Sequence, residues 1–258
     1  MFHRFFRIAV PLGLLFFFGG QPARADQMQE YNLRLAAGSG DIQTVTSLLA
    51  QNVDVNGRNK RGYTALHTAI RGNHAKVAEL LVAAAADVNA VDGDGDSPLT
   101  LAVGNRNRAI VELLLRNDAN VNIRDGNGMT PLIKASSLGD GEIVTVLLQK
   151  RADVNAADKN GYTALMMAAR SGKTDIASDL IRADADVTVE TPLGETALKL
   201  AKRSGNPKMI SLIAAKATPE AAPPAGAALP AEPEKGEPAP EIEEQPDQQD
   251  EQWKSLSE

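Results

Sequence analysis

Few residues of this 258-residue chain could carry acid–base, nucleophilic or metal chemistry. It has no cysteine and only three histidines, His3, His67 and His74. A Ser-His-Asp triad needs a histidine next to its serine, and the zinc pattern H-E-x-x-H, which needs a pair of histidines, is absent. Both histidines beyond residue 25 lie in one stretch of chain, and we favour a structural role for them over a catalytic one. The sequence therefore predicts a protein that is not an enzyme.

One acidic run has a spacing that resembles the start of a calcium loop. It reads Asp-Gly-Asp-Gly-Asp-Ser over residues 92–97, with alternating carboxylates. The EF-hand pattern requires glycine where Ser97 stands and glutamate where Val103 stands, so both requirements fail. The run also falls in register with other turns along the chain. We therefore expect no calcium site, no other metal and no cofactor.

A period of 33 residues runs through the body of the chain. A hydroxyl residue recurs at this step and is followed by a leucine and an alanine at fixed offsets: Thr64, Ser97, Thr130, Thr163 and Thr196; Leu66, Leu99, Leu132, Leu165 and Leu198; Ala69, Ala102, Ala135, Ala168 and Ala201. Leu33 and Ala36 extend the pattern back by one step, which adds a degenerate first unit to five clear ones. Self-similarity at such a period is the signature of a repeat architecture.

Each unit is built from signals for two short helices. A glycine two residues before the hydroxyl suits a turn with positive φ, and the hydroxyl caps the first helix. Pro98 and Pro131 stand at the first helical position, where a missing N–H is tolerated. Apolar pairs such as Ile110-Val111 mark the second helix, and a polar segment such as Asp87-Val88-Asn89 closes the unit.

These motifs resemble the ankyrin-repeat family. Residues 62–69, Gly-Tyr-Thr-Ala-Leu-His-Thr-Ala, are similar to its G-x-T-P-L-H-x-A signature, and residues 86–89, Ala-Asp-Val-Asn, to its closing segment. The resemblance implies an all-α repeat solenoid, with helix-turn-helix units joined by β-hairpin-like loops and no cofactor. We expect an ankyrin-repeat domain over residues 26–217 with about six units, near 29–58, 59–91, 92–124, 125–157, 158–190 and 191–217.

Departures from the family pattern predict a folded stack of modest stability. The signature histidine is kept only as His67, so most hydrogen bonding between repeats through that side chain should be lost. The glycine expected after the second helix is replaced by residues that must adopt positive φ at about 1 kcal/mol each: Asn52, Ala85, Asp118, Arg151 and Asp184. Asp179 falls in a column of Leu and Val that we expect in the core, so the fifth unit should be the weakest.

The resemblance also implies where a partner would bind. In such stacks the loop tips and the inner face of the first helices do not pack against the core. Tyr and Arg are the residue types that most often form interface hot spots. The predicted partner-binding residues are Arg58, Lys60, Arg61, Tyr63, Arg71, Asp94, Asp96, Arg124, Asn127, Met129, Lys159, Asn160, Tyr162 and Arg170, with Glu195 and Arg203 continuing the face in the sixth unit. The alternative is that these exposed charges are simply solvated.

Residues 1–25 have the three-part pattern of a secretory signal peptide. A basic start with Arg4 and Arg7 precedes an apolar run over residues 8–18, and small residues up to Ala25 offer a cleavage site. The alternative is an uncleaved membrane anchor, although the run has about half of the roughly 20 residues that span a bilayer. Without a cysteine a lipoprotein is not expected. We predict a periplasmic or secreted protein and favour the periplasm.

Residues 218–258 form an acidic tail rich in Pro, Ala and Glu. They carry eleven acidic residues against two lysines, which leaves residues 26–217 without net charge in a chain of net charge −6. Such a tail should be disordered, and a docking peptide around Trp253 and Leu256 is a less favoured alternative. A neutral repeat region lacks the positive footprint of a nucleic-acid binder.

The sequence thus predicts a non-enzymatic protein that binds a protein partner of unknown identity. No nucleic acid and no small-molecule substrate is expected, and a membrane is involved only if residues 1–25 are not cleaved. Two alternatives stay open: a membrane-anchored scaffold with an uncleaved first segment, and an enzyme with an unrecognised site.

Overall fold

A computed structural model of the chain describes residues 22–217, with side chains from residue 25 onward. The predicted leader up to residue 21 and the whole predicted tail lie outside the described residues. Within the described range the chain forms twelve helices and no strand: α1 (Pro22–Ser39), α2 (Ile42–Ala50), α3 (Ala65–Arg71), α4 (Ala75–Ala83), α5 (Pro98–Gly104), α6 (Arg108–Arg116), α7 (Pro131–Leu138), α8 (Gly141–Gln149), α9 (Ala164–Arg170), α10 (Thr174–Arg182), α11 (Ala197–Ser204) and α12 (Pro207–Ala217).

The helices form two layers. The first helices of the units, α1, α3, α5, α7, α9 and α11, each pack on the next, and the second helices, α2, α4, α6, α8, α10 and α12, do the same. Each second helix also packs on the first helix of its own unit. The arrangement confirms the predicted all-α repeat solenoid, in which each unit completes its core against its neighbours. None of the helices within residues 22–217 has the length and apolar character needed to cross a membrane.

The helix starts follow the predicted capping chemistry. The side chains of all five predicted capping residues accept a hydrogen bond from the backbone N–H three residues on: Thr64, Ser97, Thr130, Thr163 and Thr196. Pro98 and Pro131 stand at the start of α5 and α7 as expected. The caps fix where each first helix begins, and therefore which side of it faces outward.

The predicted positive-φ residues adopt that conformation. Asn52, Ala85, Asp118, Arg151 and Asp184 have φ between 58° and 62°. The turn glycines before each capping residue also have positive φ, and a Cβ at Gly95 would lie 2.5 Å from the backbone nitrogen of Gly126 in the next loop. This close approach of neighbouring loops requires glycine at Gly95.

Asparagines of the closing segments connect each unit to the next. The Asn56 side chain accepts from the Asp87 backbone N–H at 2.7 Å, and the Asn89 side chain accepts from that of Asn120 at 2.7 Å. The same bond recurs from Asp153 to Asn122 at 2.8 Å and from Asp186 to Asn155 at 2.8 Å. The closing motif is thus a hydrogen-bonded ladder between repeats, which the residue types alone did not reveal.

The expectation that Asp179 lies in the core is wrong. Its side chain is 30% exposed and pairs with Arg182 at 3.0 Å. Leu80 and Leu113 in the same position are also only partly buried, whereas Val146 is buried, so the position borders solvent in most units. The carboxylate therefore reaches solvent and a cation at little cost, and this position no longer marks the fifth unit as the weakest.

Candidate protein-binding face

The hairpin-like loops present their tips in a repeated geometry. The first residue of each loop uses a side-chain oxygen to hold the backbone N–H groups that follow, as Asp125 and Asp158 do. Asp92 Oδ1 accepts from the backbone N–H groups of Asp94 and Asp96, both at 2.9 Å. Residues two and four positions after the anchor are thereby fixed at the tip and at the edge of the loop.

This anchoring also accounts for the acidic run at residues 92–97. Asp92 holds the loop from within, and its Oδ2 is buried without a hydrogen-bond partner. The Asp94 carboxylate contacts Tyr63 in the preceding unit, and that of Asp96 contacts Lys134 in the following unit, so the three carboxylates do not converge. Among the described residues no group of three or more His, Asp or Glu side chains could hold a metal ion.

Three predicted residues form what we call the closed cluster: Tyr63, Arg71 and Asp94. The Arg71 guanidinium lies 5.0 Å from the centre of the Tyr63 ring and donates to its hydroxyl at 3.2 Å. That hydroxyl donates to Asp94 Oδ2 at 2.9 Å. This hydrogen bond, with burial as a second cause, raises the pKa of Tyr63 above its ordinary value of 10. The cluster links two units and gives the Tyr63 hydroxyl both a donor and an acceptor.

A second set of residues, the open cluster, occupies the same positions three units later. It comprises Tyr162, Arg170 and Leu193. The Arg170 guanidinium lies 5.6 Å from the centre of the Tyr162 ring and contacts the Met167 sulfur at 3.1 Å. Within residues 25–217 the Tyr162 hydroxyl has no hydrogen-bond partner and Arg170 forms no ion pair. Leu193 stands where the closed cluster has Asp94.

Glu195 and Arg203 border the open cluster. Glu195 Oε1 pairs with Arg203 at 2.8 Å, while Glu195 Oε2 is buried without a hydrogen-bond partner. The hydrogen bond and the charge of Glu195 raise the pKa of Arg203, and the Tyr162 oxygen also acts in that direction. With Arg170, these charged groups leave one net positive charge beside Tyr162.

The middle of the face is internally neutral. Asp96 pairs with Lys134 at 3.5 Å and accepts from the Thr100 hydroxyl at 3.1 Å. Met129 is partly buried against the core. The predicted residues at this point therefore offer a low-charge, partly apolar stretch between the two tyrosine–arginine clusters.

Some predicted residues hold neighbouring loops together. The Arg58 guanidinium donates to the Val91 carbonyl at 2.7 Å, and that of Arg124 donates to the Ala157 carbonyl at 2.6 Å. The Lys159 ammonium donates to the Gly126 carbonyl at 2.6 Å. These cations are exposed, yet each is already engaged in a contact between units. The remaining predicted residues stand exposed at the loop tips: Lys60, Arg61, Asn127 and Asn160.

Sequence reasoning missed Leu193, which is 86% exposed. Its column holds polar residues in the earlier units, Arg61, Asp94, Asn127 and Asn160. The sequence did contain a signal for this residue, because Leu193 is apolar in a column whose other members are polar. Pro192 precedes Leu193 and is also exposed, so the last loop ends in an apolar tip.

The two histidines have structural contacts, as favoured from the sequence. His67 is fully buried, its Nδ1 lies 2.9 Å from the Thr64 hydroxyl oxygen, and its Nε2 lies 3.3 Å from the Asp96 carbonyl of the next unit. Burial lowers the pKa of His67 below 6.5, against the opposing charge of Asp92. His74 Nε2 lies 3.1 Å from the Gly38 carbonyl. In the next unit Thr100 bonds within its own repeat, so the contact made by His67 is not repeated there.

Comparison with known proteins places these observations in a family. A model of ankyrin repeats in three copies matches residues 33–125 and 117–191. The crystal structure of an ankyrin repeat domain from Acinetobacter baumannii AYE is similar, with 32% sequence identity and a TM-score of 0.70. The match covers 73% of this chain and 98% of that one.

Two curated relatives share a shorter segment. Ankyrin repeat domain-containing protein 40 of Mus musculus and of Homo sapiens are each 44% identical over 55 residues, which is 21% of this chain. The match spans 15% of the length of these two relatives.

Proposed function

The chain belongs to the ankyrin-repeat family, and we propose that it binds one protein partner through its loop tips and the exposed side of its first helices. Ankyrin repeats are protein–protein interaction modules, and nothing in the described residues points to catalysis. The proposal is supported most directly by the closed and open clusters, which place Tyr–Arg pairs at equivalent positions of one face.

These pairs suit recognition because they are held in place before a partner arrives. Stacking on a tyrosine ring orients the Arg71 and Arg170 guanidiniums, so less side-chain entropy is lost on binding. Both arginines are exposed, and neither forms an ion pair among the described residues. Tyrosine and arginine are also the residue types that most often dominate binding energy at interfaces.

The partner-binding experiment uses the tagged full chain to capture proteins from envelope extract of cells that produce it. We expect Tyr63→Ala combined with Tyr162→Ala to reduce the captured partner about tenfold or more, because the rings that orient the exposed Arg71 and Arg170 guanidiniums are removed. Arg116→Ala is the control, since Arg116 lies on α6 in the other helix layer and pairs only weakly with Glu112. Equal capture by the double variant and the wild type would contradict the proposal.

We also propose that the protein works in the cell envelope, after removal of its first 25 residues. The support is the signal-peptide pattern of the sequence and the absence of cysteine, which removes any need for a reducing compartment. Mass spectrometry of the native protein tests this. A chain that begins at Asp26 agrees with the proposal, whereas an intact N-terminus in the membrane fraction supports the anchored scaffold instead.

A further inference from the structure

The closed and open clusters are two copies of one arrangement, and only one copy is complete. In the closed cluster the tyrosine hydroxyl contacts a carboxylate 31 residues later in the chain, Asp94. The equivalent position after Tyr162 is occupied by Leu193, which has no carboxylate and is 86% exposed. The open cluster thus keeps the stacked tyrosine and arginine but lacks the carboxylate that Asp94 supplies in the closed cluster.

The missing anion leaves the Tyr162 hydroxyl without a hydrogen-bond partner among residues 25–217. The Arg170 guanidinium meets no carboxylate there either, as is also true of Arg71, and each guanidinium lies over the tyrosine ring of its own cluster. The carboxylate of Glu195, in the next unit, pairs with Arg203 and with neither Tyr162 nor Arg170. The charges of Arg170, Arg203 and Glu195 sum to one positive charge, so the open cluster favours a single added anion.

We propose that the open cluster is a subsite for a carboxylate carried by the protein partner, from an Asp or Glu side chain that lies next to an apolar residue. The carboxylate accepts from Tyr162 and Arg170, as Asp94 accepts from Tyr63. The apolar neighbour packs on Leu193 and removes it from water. This inference rests on the proposed partner binding and names the chemistry of the partner.

The closed cluster supplies the geometry of the contact between the carboxylate and the tyrosine hydroxyl, although Arg71 forms no ion pair with Asp94 there. A carboxylate oxygen 2.9 Å from the hydroxyl, with the guanidinium over the ring, is already seen at Asp94, Tyr63 and Arg71. Hydrogen bonds between ionised partners are about twice as strong as neutral ones, and a guanidinium can hold a carboxylate through two of them. A protein carboxylate is favoured over a nucleic-acid phosphate because residues 26–217 have no net charge and the subsite borders an exposed leucine.

The first test asks whether the open cluster accepts a carboxylate. In Leu193→Asp the chain supplies its own anion, and we expect its carboxylate to accept a hydrogen bond from the Tyr162 hydroxyl, as Asp94 accepts one from that of Tyr63. The contact is followed through the ring chemical shifts of labelled tyrosine in the full chain, with Tyr162→Phe to assign the signal. Leu193→Asn is the uncharged control. Equal Tyr162 ring shifts in Leu193→Asp and Leu193→Asn overturn the proposal.

The second test selects peptides from a random display library on the full-length wild type. We expect enriched peptides to carry Asp or Glu beside an apolar residue. Their affinity should fall about tenfold or more in Arg170→Ala and in Leu193→Asp, with a smaller loss in Arg170→Lys, which keeps the charge without the planar fork. Arg116→Ala, with circular dichroism of all variants, controls for folding and for general charge.

The outcomes separate this inference from the proposed function. Enriched peptides that lack acidic residues, or whose affinity is unchanged by Arg170→Ala, overturn the carboxylate subsite and leave partner binding intact. Failure to enrich any peptide above an unrelated control protein contradicts partner binding and the subsite with it. Binding of a single-stranded oligonucleotide that Arg170→Ala abolishes assigns the subsite to phosphate and overturns the protein carboxylate.

Discussion

The closed and open clusters show the same scaffold used in two ways. Tyr63 and Tyr162 stand at equivalent positions, and each carries a stacked arginine from the end of its own first helix, Arg71 or Arg170. Tyr63 is buried and its hydroxyl is satisfied by the next loop, whereas Tyr162 is only partly buried and its hydroxyl is unsatisfied within residues 25–217. The helices and turns around the two clusters are otherwise alike, and the caps differ only in the reciprocal bond that His67 adds under the closed cluster.

The difference depends on one exposed residue in the next loop. Because loop positions repeat, Asp94 reaches Tyr63, and Leu193 occupies the equivalent position for Tyr162. A repeat protein can therefore open an internal hydrogen bond to solvent without altering its fold. Exposed positions of the repeat are free to vary, since they carry little of the packing.

The largest effect should come from removing the leucine beneath each cluster. Leu66 and Leu165 are fully buried at equivalent positions. We expect Leu66→Ala and Leu165→Ala each to lower the free energy of unfolding by about 3 kcal/mol, because each leaves a cavity. Urea unfolding measures both. The exposed Leu193→Ala should change stability by less than about 0.5 kcal/mol. A difference above about 1 kcal/mol between the two buried variants would show that the two scaffolds are not equivalent.

The next largest difference in stability between the two units should come from the caps of their first helices, Thr64 and Thr163. Thr163→Ala removes one capping hydrogen bond and should lower the free energy of unfolding by about 1 kcal/mol. Thr64→Ala should cost more, because Thr64 shares a reciprocal capping box with His67, whereas Met166 occupies that position under the open cluster. Urea unfolding tests the order, and the serine variants keep the hydroxyl as controls. Equal losses would mean that His67 adds nothing to the cap.

A smaller difference should appear with pH. Burial lowers the pKa of His67 below 6.5, so the unfolded chain binds a proton more readily than the folded one. The contribution of neutral His67 to the free energy of unfolding is therefore present above pH 6.5. It should be lost as the pH falls through the lowered pKa of His67 in the folded chain. His67→Met, which copies the open-cluster unit, should reduce the pH dependence of the urea midpoint between about pH 7.5 and 5.5. An unchanged pH dependence in the variant would contradict this account.

The smallest effect is measured on a tyrosine titration rather than on unfolding. The hydrogen bond to Asp94 is the main cause of the raised pKa of Tyr63. Asp94→Ala opens the closed cluster, so the pKa of Tyr63 should fall toward 10. Tyrosinate absorbance during alkaline titration follows this, with Tyr63→Phe to assign the transition. If the pKa of Tyr63 stays raised in Asp94→Ala, burial rather than the carboxylate controls it.

Much of the scaffold was predictable because its signals are local. A hydroxyl before a helix, as at Thr130, accepts an orphan backbone N–H wherever it occurs, and Pro131 suits the first helical turn. Positive φ at Ala85 and Arg151 followed from their place in the repeat. These features depend on a few consecutive residues and on the period, both of which are visible in the sequence.

Contacts between units were predicted less well. The side chain of Asp179 was assigned to the core by its column, yet that column borders solvent. Arg58 and Arg124 were grouped with free surface cations, yet each holds a carbonyl of the neighbouring loop. How far each column lies from solvent depends on how the helices pack across layers, and residue type alone does not give that distance.

The sequence by itself determined the number of units, the starts of their helices and the family to which the chain belongs. Only the tertiary structure decided which tyrosine has a carboxylate and which lacks one, because the partners are 31 residues apart and meet only when two loops are stacked. Backbone conformation is set by neighbours in the chain, whereas hydrogen bonds between side chains are set by neighbours in space.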